Sequence, residues 1–369
     1  MTSIDAMVFH RPNQPLISET LELRAPQRGE VLVRMMASGV CHSDLHVLNG
    51  DWPMPENRPI VLGHEGAGVV EAIGEAVVDV AVGDHVALSW FAPCRRCDAC
   101  LSGNASTCRN TRALENSLPD GSSPLRSAND TVIDPFLGIA TFASSAVVPE
   151  SAVVKIPDAV PFPVAALIGC AVTTGFGAVV RAAKVTPGES AVVLGCGGVG
   201  QALISALRLV GATPIIAVDL SDERLALAAA LGATVTIDGG SSDIDIQVDE
   251  ITQGGADFAF EAIGRPKTIE LLPNLIRAGG KAILVGLTST GARASFEPAA
   301  LVDQGKTLIG CNYGDSVPSI DFPRIARLYL AGALPLDRLI GRVISLGEVN
   351  SALDDLKAGH GLRTIIDYS

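Results

Sequence analysis

A chain of 369 residues exceeds the usual size of one compact domain, so two domains are expected. With 48% hydrophobic and 18% charged residues it can bury large cores, which excludes broad disorder. A formal net charge of -13 repels phosphate backbones and anionic lipid, so neither nucleic acid nor a membrane is expected as a partner.

The start, Met1-Thr2-Ser3-Ile4-Asp5, has no basic cluster leading into an apolar core, and the expected compartment is the cytoplasm. From Ala6 to about Ala140, short alternating runs such as Glu30-Val31-Leu32-Val33-Arg34-Met35 and Gly68-Val69-Val70-Glu71-Ala72-Ile73 are punctuated by Gly, Pro and Asp. These predict the strands of a compact β-rich domain. Residues 113 to 135 lack an apolar period and carry Pro119, Asp120-Gly121 and Asn129-Asp130, which predicts a long surface loop. Between Asp158 and Arg181 the chain is uncharged for long enough to suggest a membrane span. Pro161, Pro163, Gly169, Gly175 and Gly177 break it into pieces better suited to a buried domain junction.

After residue 186 the pattern becomes strand then helix, repeated, the signature of a doubly wound parallel sheet. Strands are expected at 190–194, 214–218, 258–260 and 281–285, and helices at 199–210 and 222–231. The tail predicts helices at 322–331 and 348–357 and a strand at 364–366.

Eight cysteines invite a disulfide reading, which their spacing opposes. Cys94, Cys97 and Cys100 recur every third residue with Cys108 close behind; such a set strains as disulfides but wraps one zinc ion in four thiolates. A shell closed by protein on all four sides is structural. A second set is dispersed: Cys41-His42-Ser43-Asp44, then His64-Glu65, then Cys170. Taken alone, a cysteine or histidine of this kind serves packing as readily as metal.

Gly195-Cys196-Gly197-Gly198-Val199-Gly200 fits G-x-G-x-x-G between an apolar strand and a helix, where missing Cβ atoms let a pyrophosphate approach the helix N-terminus. Asp219 ends the next strand, where a carboxylate accepts ribose hydroxyls and repels a 2′-phosphate, so NAD is expected over NADP. Cys196, at a variable place in the motif, is read as a small buried residue.

Taken together and in this order, these motifs resemble those of the zinc-dependent medium-chain alcohol dehydrogenases, from Gly39-Val40-Cys41-His42-Ser43-Asp44 to Leu362-Arg363-Thr364-Ile365. The resemblance implies a β-rich, GroES-like catalytic domain from residues 1–170 and 313–369, with a Rossmann domain of residues 171–312 between them and the active site in the cleft. It implies two zinc ions per chain: Cys41, His64 and Cys170 hold the catalytic one, with Glu65 close behind and Asp44 orienting the histidine. An open fourth position would then receive a small alcohol.

Ser43 matches a hydroxyl that passes the alcohol proton on, and His46 the base that releases it to solvent. His42 and Arg363 match phosphate contacts, and Arg224 an adenosine-ribose contact. Thr174 and Val199 match residues pressing on the nicotinamide. Trp90 and Phe136 match substrate-pocket positions, and bulky aromatics there suit an unbranched or aromatic primary alcohol, although core packing explains either as well. The implied reaction is reversible oxidation of a primary aliphatic, terpenoid or aromatic alcohol to its aldehyde. Residues 113–135 resemble dimeric members, which implies a homodimer. Two rivals stand beside this: a thiol-dependent formaldehyde dehydrogenase, against which Ser43 and Asp51-Trp52-Pro53-Met54-Pro55 depart from that branch's pattern, and a non-catalytic sensor of zinc and nucleotide.

Overall fold

The computed structural model describes residues 1–55 and 58–369, which divide into two compact units. One comprises Met1–Cys170, Val317–Ala331 and Ile340–Ser369; the other comprises Ala171–Ser316 and Gly332–Leu339. The second therefore reclaims a piece of the tail that the sequence reading gave to the first. Leu334, Leu336 and Leu339 are buried in that piece, and Arg338 donates to the carbonyl of Ala230 at 3.4 Å. Residues 313–316 belong there too, because Ser316 Oγ donates to Thr173 O and a Cβ on Gly177 would meet Gly314 O at 2.2 Å.

The first unit is built from β-strands because its apolar residues alternate. In Glu30–Gly39, which spans the expected run, buried Val31, Val33 and Met35 share one face. It pairs antiparallel with Glu65–Ile73 on one side and with Arg363–Asp367 and Ser145–Pro149 elsewhere, at the centre of a seven-stranded sheet. A closed barrel joins Thr2–Phe9, Ile17–Leu23, Leu125–Arg126, Val132–Pro135 and Ile60–Val61.

Two barrel strands lie inside residues 113–135, so the expected long surface loop is corrected. Leu118, Leu125 and Ile133 are buried there, and Leu125 pairs with both Leu23 and Ile133. Strands of two and four residues are too short to display a period.

The second unit carries a six-stranded parallel sheet in the order Val235–Asp238, Ile215–Asp219, Ala191–Leu194, Ala256–Glu261, Ile276–Leu284, Thr307–Gly310. The central strand Ala191–Leu194 is buried along its whole length, which is why it reads as an unbroken apolar run, whereas the edge strands Val235–Asp238 and Thr307–Gly310 are partly exposed. The strand order reverses beside Ala191–Leu194, and in such sheets ligands bind beyond the carboxyl ends at that point.

The apolar stretch is one helical run, Phe162–Ala183, long enough to cross a membrane but mostly buried in protein. The expected breaks are absent: its prolines sit at the N-terminus, where no helical N–H is lost, and the run continues past its glycines, winding as π turns at Ile168–Val172 and Ala178–Ala183.

Candidate active site

Three segments of the first unit converge on one buried point. Cys41 stands just before the helix His42–Asn49, and its backbone N–H donates to Asp44 Oδ2 at 3.1 Å. His64 follows Gly63, whose φ of +84° suits only glycine; a Cβ there would also strike Phe142 and Thr141. Cys170 lies in the π turn Ile168–Val172, brought close because Gly169 lets that turn approach Leu88 O, which a Cβ would meet at 2.6 Å.

Donor atoms of Cys41, His64, Glu65 and Cys170 all lie within 4.8 Å of one another. His64 is 1% exposed, and Nδ1–H donates to Asp44 Oδ1 at 3.2 Å. Its Nε2 is buried with no hydrogen-bond partner among the described residues. A buried imidazole nitrogen left bare between two thiols fits a zinc ligand, with Asp44 fixing the tautomer from behind. Asp44 Oδ1 also accepts the Gly63 N–H at 3.0 Å, so one carboxylate braces the segments that carry Cys41 and His64. A hydrogen bond from Cys170, with the positive neighbours His64 and Arg363, holds the Cys41 thiol well below its ordinary range despite complete burial; the same bond pushes Cys170 up.

Glu65 is fully buried, and burial raises its carboxyl to about 8 although Arg363 opposes the shift. Arg363 Nη2 donates to Glu65 Oε2. The resemblance gave Arg363 to a phosphate; the partner it has is Glu65, because a carboxylate buried this completely needs a counter-charge. Gly39 makes room for the pair, since a Cβ there would meet Glu65 Oε2 at 2.1 Å.

The proposed relay begins beside the ligands. Ser43 Oγ is 4.0 Å from Cys41 Sγ. His46 Nδ1 pairs with Asp51 Oδ2 at 2.9 Å, and the ring stacks on Trp52 with centroids 4.8 Å apart. Gly50, in the left-handed region, folds the chain back so that Asp51 and Trp52 both cap the carbonyl of His46 and meet its ring. His42 opens the same helix and is exposed. Phe136 stands edge-on to His64 at 5.7 Å, placing it beside the metal set. Trp90 is buried against Phe91.

Cys94, Cys97, Cys100 and Cys108 form the second cluster, free of disulfides. Cys97 Sγ lies 3.6 Å from Cys100 Sγ and 3.8 Å from Cys108 Sγ. The edge of a tetrahedron with zinc–sulfur bonds of about 2.3 Å is about 3.8 Å, so the cluster has the dimensions of a closed zinc shell. Against the desolvation it suffers, N–H groups of Arg96 and Cys97 and the amide of Asn110 lower the Cys94 thiol to about 6.

In the second unit, Gly195 has φ +90°, and a Cβ there would strike Ile263; one on Gly200 would meet Gly195 O at 1.8 Å. A Cβ on Gly197 would meet nothing within 4 Å. Two of the motif's glycines are thus demanded by packing and the third leaves an open cradle at the N-terminus of Gly198–Val210, which fits a pyrophosphate. Asp219 ends its strand with Oδ2 accepting the Cys196 N–H at 2.7 Å, and Arg224 lies in the first turn of Asp222–Leu231. Thr174 is nearly buried and Val199 half-buried. Cys196 is fully buried, as read. Sequence reasoning missed Gln201 and Glu261, both buried polar residues of this unit; a lone polar side chain in the first turn of an apolar helix was the available signal for Gln201.

Comparison with known proteins agrees with this geometry. The alcohol dehydrogenase GroES-like domain model matches residues 27–158, and the zinc-binding dehydrogenase model residues 198–331. An S-(hydroxymethyl)glutathione dehydrogenase of Paracoccus denitrificans is 36% identical, covering 98% of this chain and 99% of its own. Benzyl alcohol dehydrogenase of Acinetobacter calcoaceticus superposes with a TM-score of 0.94 at 36% identity, covering 100% of both chains. An alcohol dehydrogenase zinc-binding domain protein of Burkholderia ambifaria does so with 0.94 at 38%, covering 99% of each. A bare imidazole nitrogen between two thiols, a second four-thiolate knot and a glycine cradle on a parallel sheet therefore have one common explanation: the chain belongs to the zinc-dependent medium-chain alcohol dehydrogenase family and is an oxidoreductase.

Proposed function

We propose that the chain oxidises a primary alcohol, unbranched or aromatic, to its aldehyde, reversibly, with NAD. The observation that carries the reading is the Cys41–His64–Cys170 set, with His64 Nε2 bare and Phe136 against the imidazole. Zinc held by these three supplies a Lewis acid for the alcohol oxygen, and NAD supplies the hydride acceptor. Asp44 keeps His64 Nδ1 protonated, so that Nε2 faces the metal. Phe136 offers an apolar wall that favours a hydrocarbon substituent and keeps water away. Ser43 Oγ receives the alcohol proton, and His46, steadied by Asp51 and Trp52, releases it to water. Asp219 repels a 2′-phosphate and selects NAD over NADP. The chain is further proposed to act in the cytoplasm as a homodimer, a reading supported by the likeness of residues 113–135 to dimeric members; light scattering should then give twice 38.1 kDa.

Oxidation of a thiol adduct of formaldehyde is a second reading, favoured by the name of the Paracoccus relative. It ranks lower because Asp51, the acidic group that follows the first helix among the described residues, is engaged by His46. NADH formation should be followed with benzyl alcohol, hexanol, a terpenoid alcohol, and formaldehyde with and without glutathione. Benzyl alcohol and hexanol are expected to turn over without thiol. Turnover confined to formaldehyde plus glutathione would reverse the ranking.

A further inference from the structure

Gln201 is the polar side chain in the first turn of the helix Gly198–Val210, and it is 2% exposed. Its Nε2 donates to the carbonyl of Cys196, in the glycine turn, at 2.9 Å and to the carbonyl of Arg224, in the helix Asp222–Leu231, at 2.8 Å. Its Oε1 is buried with no hydrogen-bond partner among the described residues. That oxygen is a liability, since leucine would fill a similar volume and bury no unpaired carbonyl. Whatever favours a carboxamide here therefore lies on the nitrogen side, in the two bonds that join segments far apart in sequence.

Those bonds close a ring. The Cys196 N–H donates to Asp219 Oδ2 at 2.7 Å, the Ser221 N–H to Asp219 Oδ1 at 2.9 Å, and the Arg224 N–H to Ser221 Oγ at 3.4 Å. Arg224 O then returns through Gln201 to Cys196 O. Both oxygens of Asp219 are held by backbone N–H groups, so its direction follows where the turn and residue 221 stand. Gln201 is the side chain that fixes those two segments against each other from beneath.

We propose that Gln201 is a positioning residue for the dinucleotide: by tying Cys196 to Arg224 it holds the glycine cradle and the Asp219 carboxylate in register, and so sets affinity for NAD(H) and selectivity against a 2′-phosphate. The selectivity part rests on the reading that Asp219 faces the adenosine ribose. Arg224 is carried on the same tie, so its approach to the ribose is set with it.

The test is NADH and NADPH binding to the zinc-loaded enzyme, read by nicotinamide fluorescence without substrate, for wild type, Gln201→Leu and Gln201→Asn. Leucine removes both ties and the orphan oxygen while keeping the volume; with two hydrogen bonds lost, the NADH Kd should rise about 5- to 50-fold. The ratio of NADPH to NADH Kd should fall at least about threefold. Asparagine, one methylene shorter, reaches one carbonyl at most and should give an intermediate NADH Kd; it keeps the question answerable if the leucine variant does not fold. A lower unfolding temperature with wild-type Kd values and a wild-type ratio in the folded variants would overturn the proposal and leave Gln201 a structural residue. Tighter binding of NADPH than NADH by wild type would overturn the Asp219 reading and the selectivity part with it, while the NADH comparison would still judge the tie. Because the binding measurements contain no alcohol, an error in the assigned substrate class leaves them untouched.

Discussion

Replacing Asp44 with asparagine isolates what one buried carboxylate does for the catalytic metal set. Its Oδ1 accepts from the Gly63 N–H at 3.0 Å and His64 Nδ1 at 3.2 Å, and its Oδ2 from the Cys41 N–H at 3.1 Å. Alanine would leave all three buried donors unpaired, at about 1–3 kcal/mol each. Their sum, about 3–9 kcal/mol, rivals the whole stability of a domain, about 5–15 kcal/mol, so loss of folding would say little about zinc. Asparagine keeps the shape and both bonds at Oδ1 while turning an NH2 group toward the Cys41 N–H, where two donors face each other. Flipping the amide makes matters worse, setting it against the other two donors. One lost bond and the lost charge beside His64 cost about 1–3 kcal/mol, which matches a 10- to 100-fold weaker zinc site. The assay is a chelator titration with zinc counted per chain, in which the four-cysteine site serves as an internal control. Removal of the more labile zinc from Asp44→Asn at the wild-type chelator midpoint would refute the claim that Asp44 orients the ligands.

Cys97→Ser should cost one zinc per chain and lower the unfolding temperature while the Cys41–His64–Cys170 site keeps its metal, which elemental analysis of the folded fraction checks. Asp219→Gly should lower the ratio of kcat/KM for NAD over NADP by removing the repelling carboxylate, and should also raise KM for NAD, because the Cys196 and Ser221 N–H groups lose their acceptor; an unchanged ratio contradicts the ribose assignment. Burial raises the Glu261 carboxyl above its usual 4.5, although Thr268 and the N–H groups of Gly264 and Ile263 lower it. The folded chain then holds this proton longer than the unfolded one, so the associated stability is full below about 4.5 and is lost as pH rises through the folded value. Glu261→Gln, neutral throughout, should flatten the fall of the urea midpoint from about pH 5 upward relative to wild type. Parallel curves for the two proteins would contradict the raised value.

How much of this was legible along the chain depended on how local each cause is. The four inner parallel strands announce themselves because burial favours apolar runs, whereas the partly exposed edge strands Val235–Asp238 and Thr307–Gly310 do not; the glycine turn does so because close packing leaves no alternative at Gly195 and Gly200. The four-cysteine knot is similarly local, with all its donors inside fifteen residues. The catalytic set is not: Cys41, His64 and Cys170 meet because Gly63 takes a left-handed turn and Ile168–Val172 winds as a π turn, and neither is visible in a hydrophobic pattern. Only the order of motifs shared with a known family pointed there. Residues 113–135 misled for the opposite reason, since buried Leu118, Leu125 and Ile133 lie among turn residues on strands too brief for any period to build up. The pairings of Arg363 with Glu65 and of Gln201 with Cys196 and Arg224 lie further out of reach. A charged or amide side chain in an apolar segment reveals that it needs a partner, because burial without one is costly, but says nothing of where in the chain that partner sits. Such residues can therefore be flagged from sequence as debts to be settled by the fold, and their roles assigned only once the fold has brought the partner in.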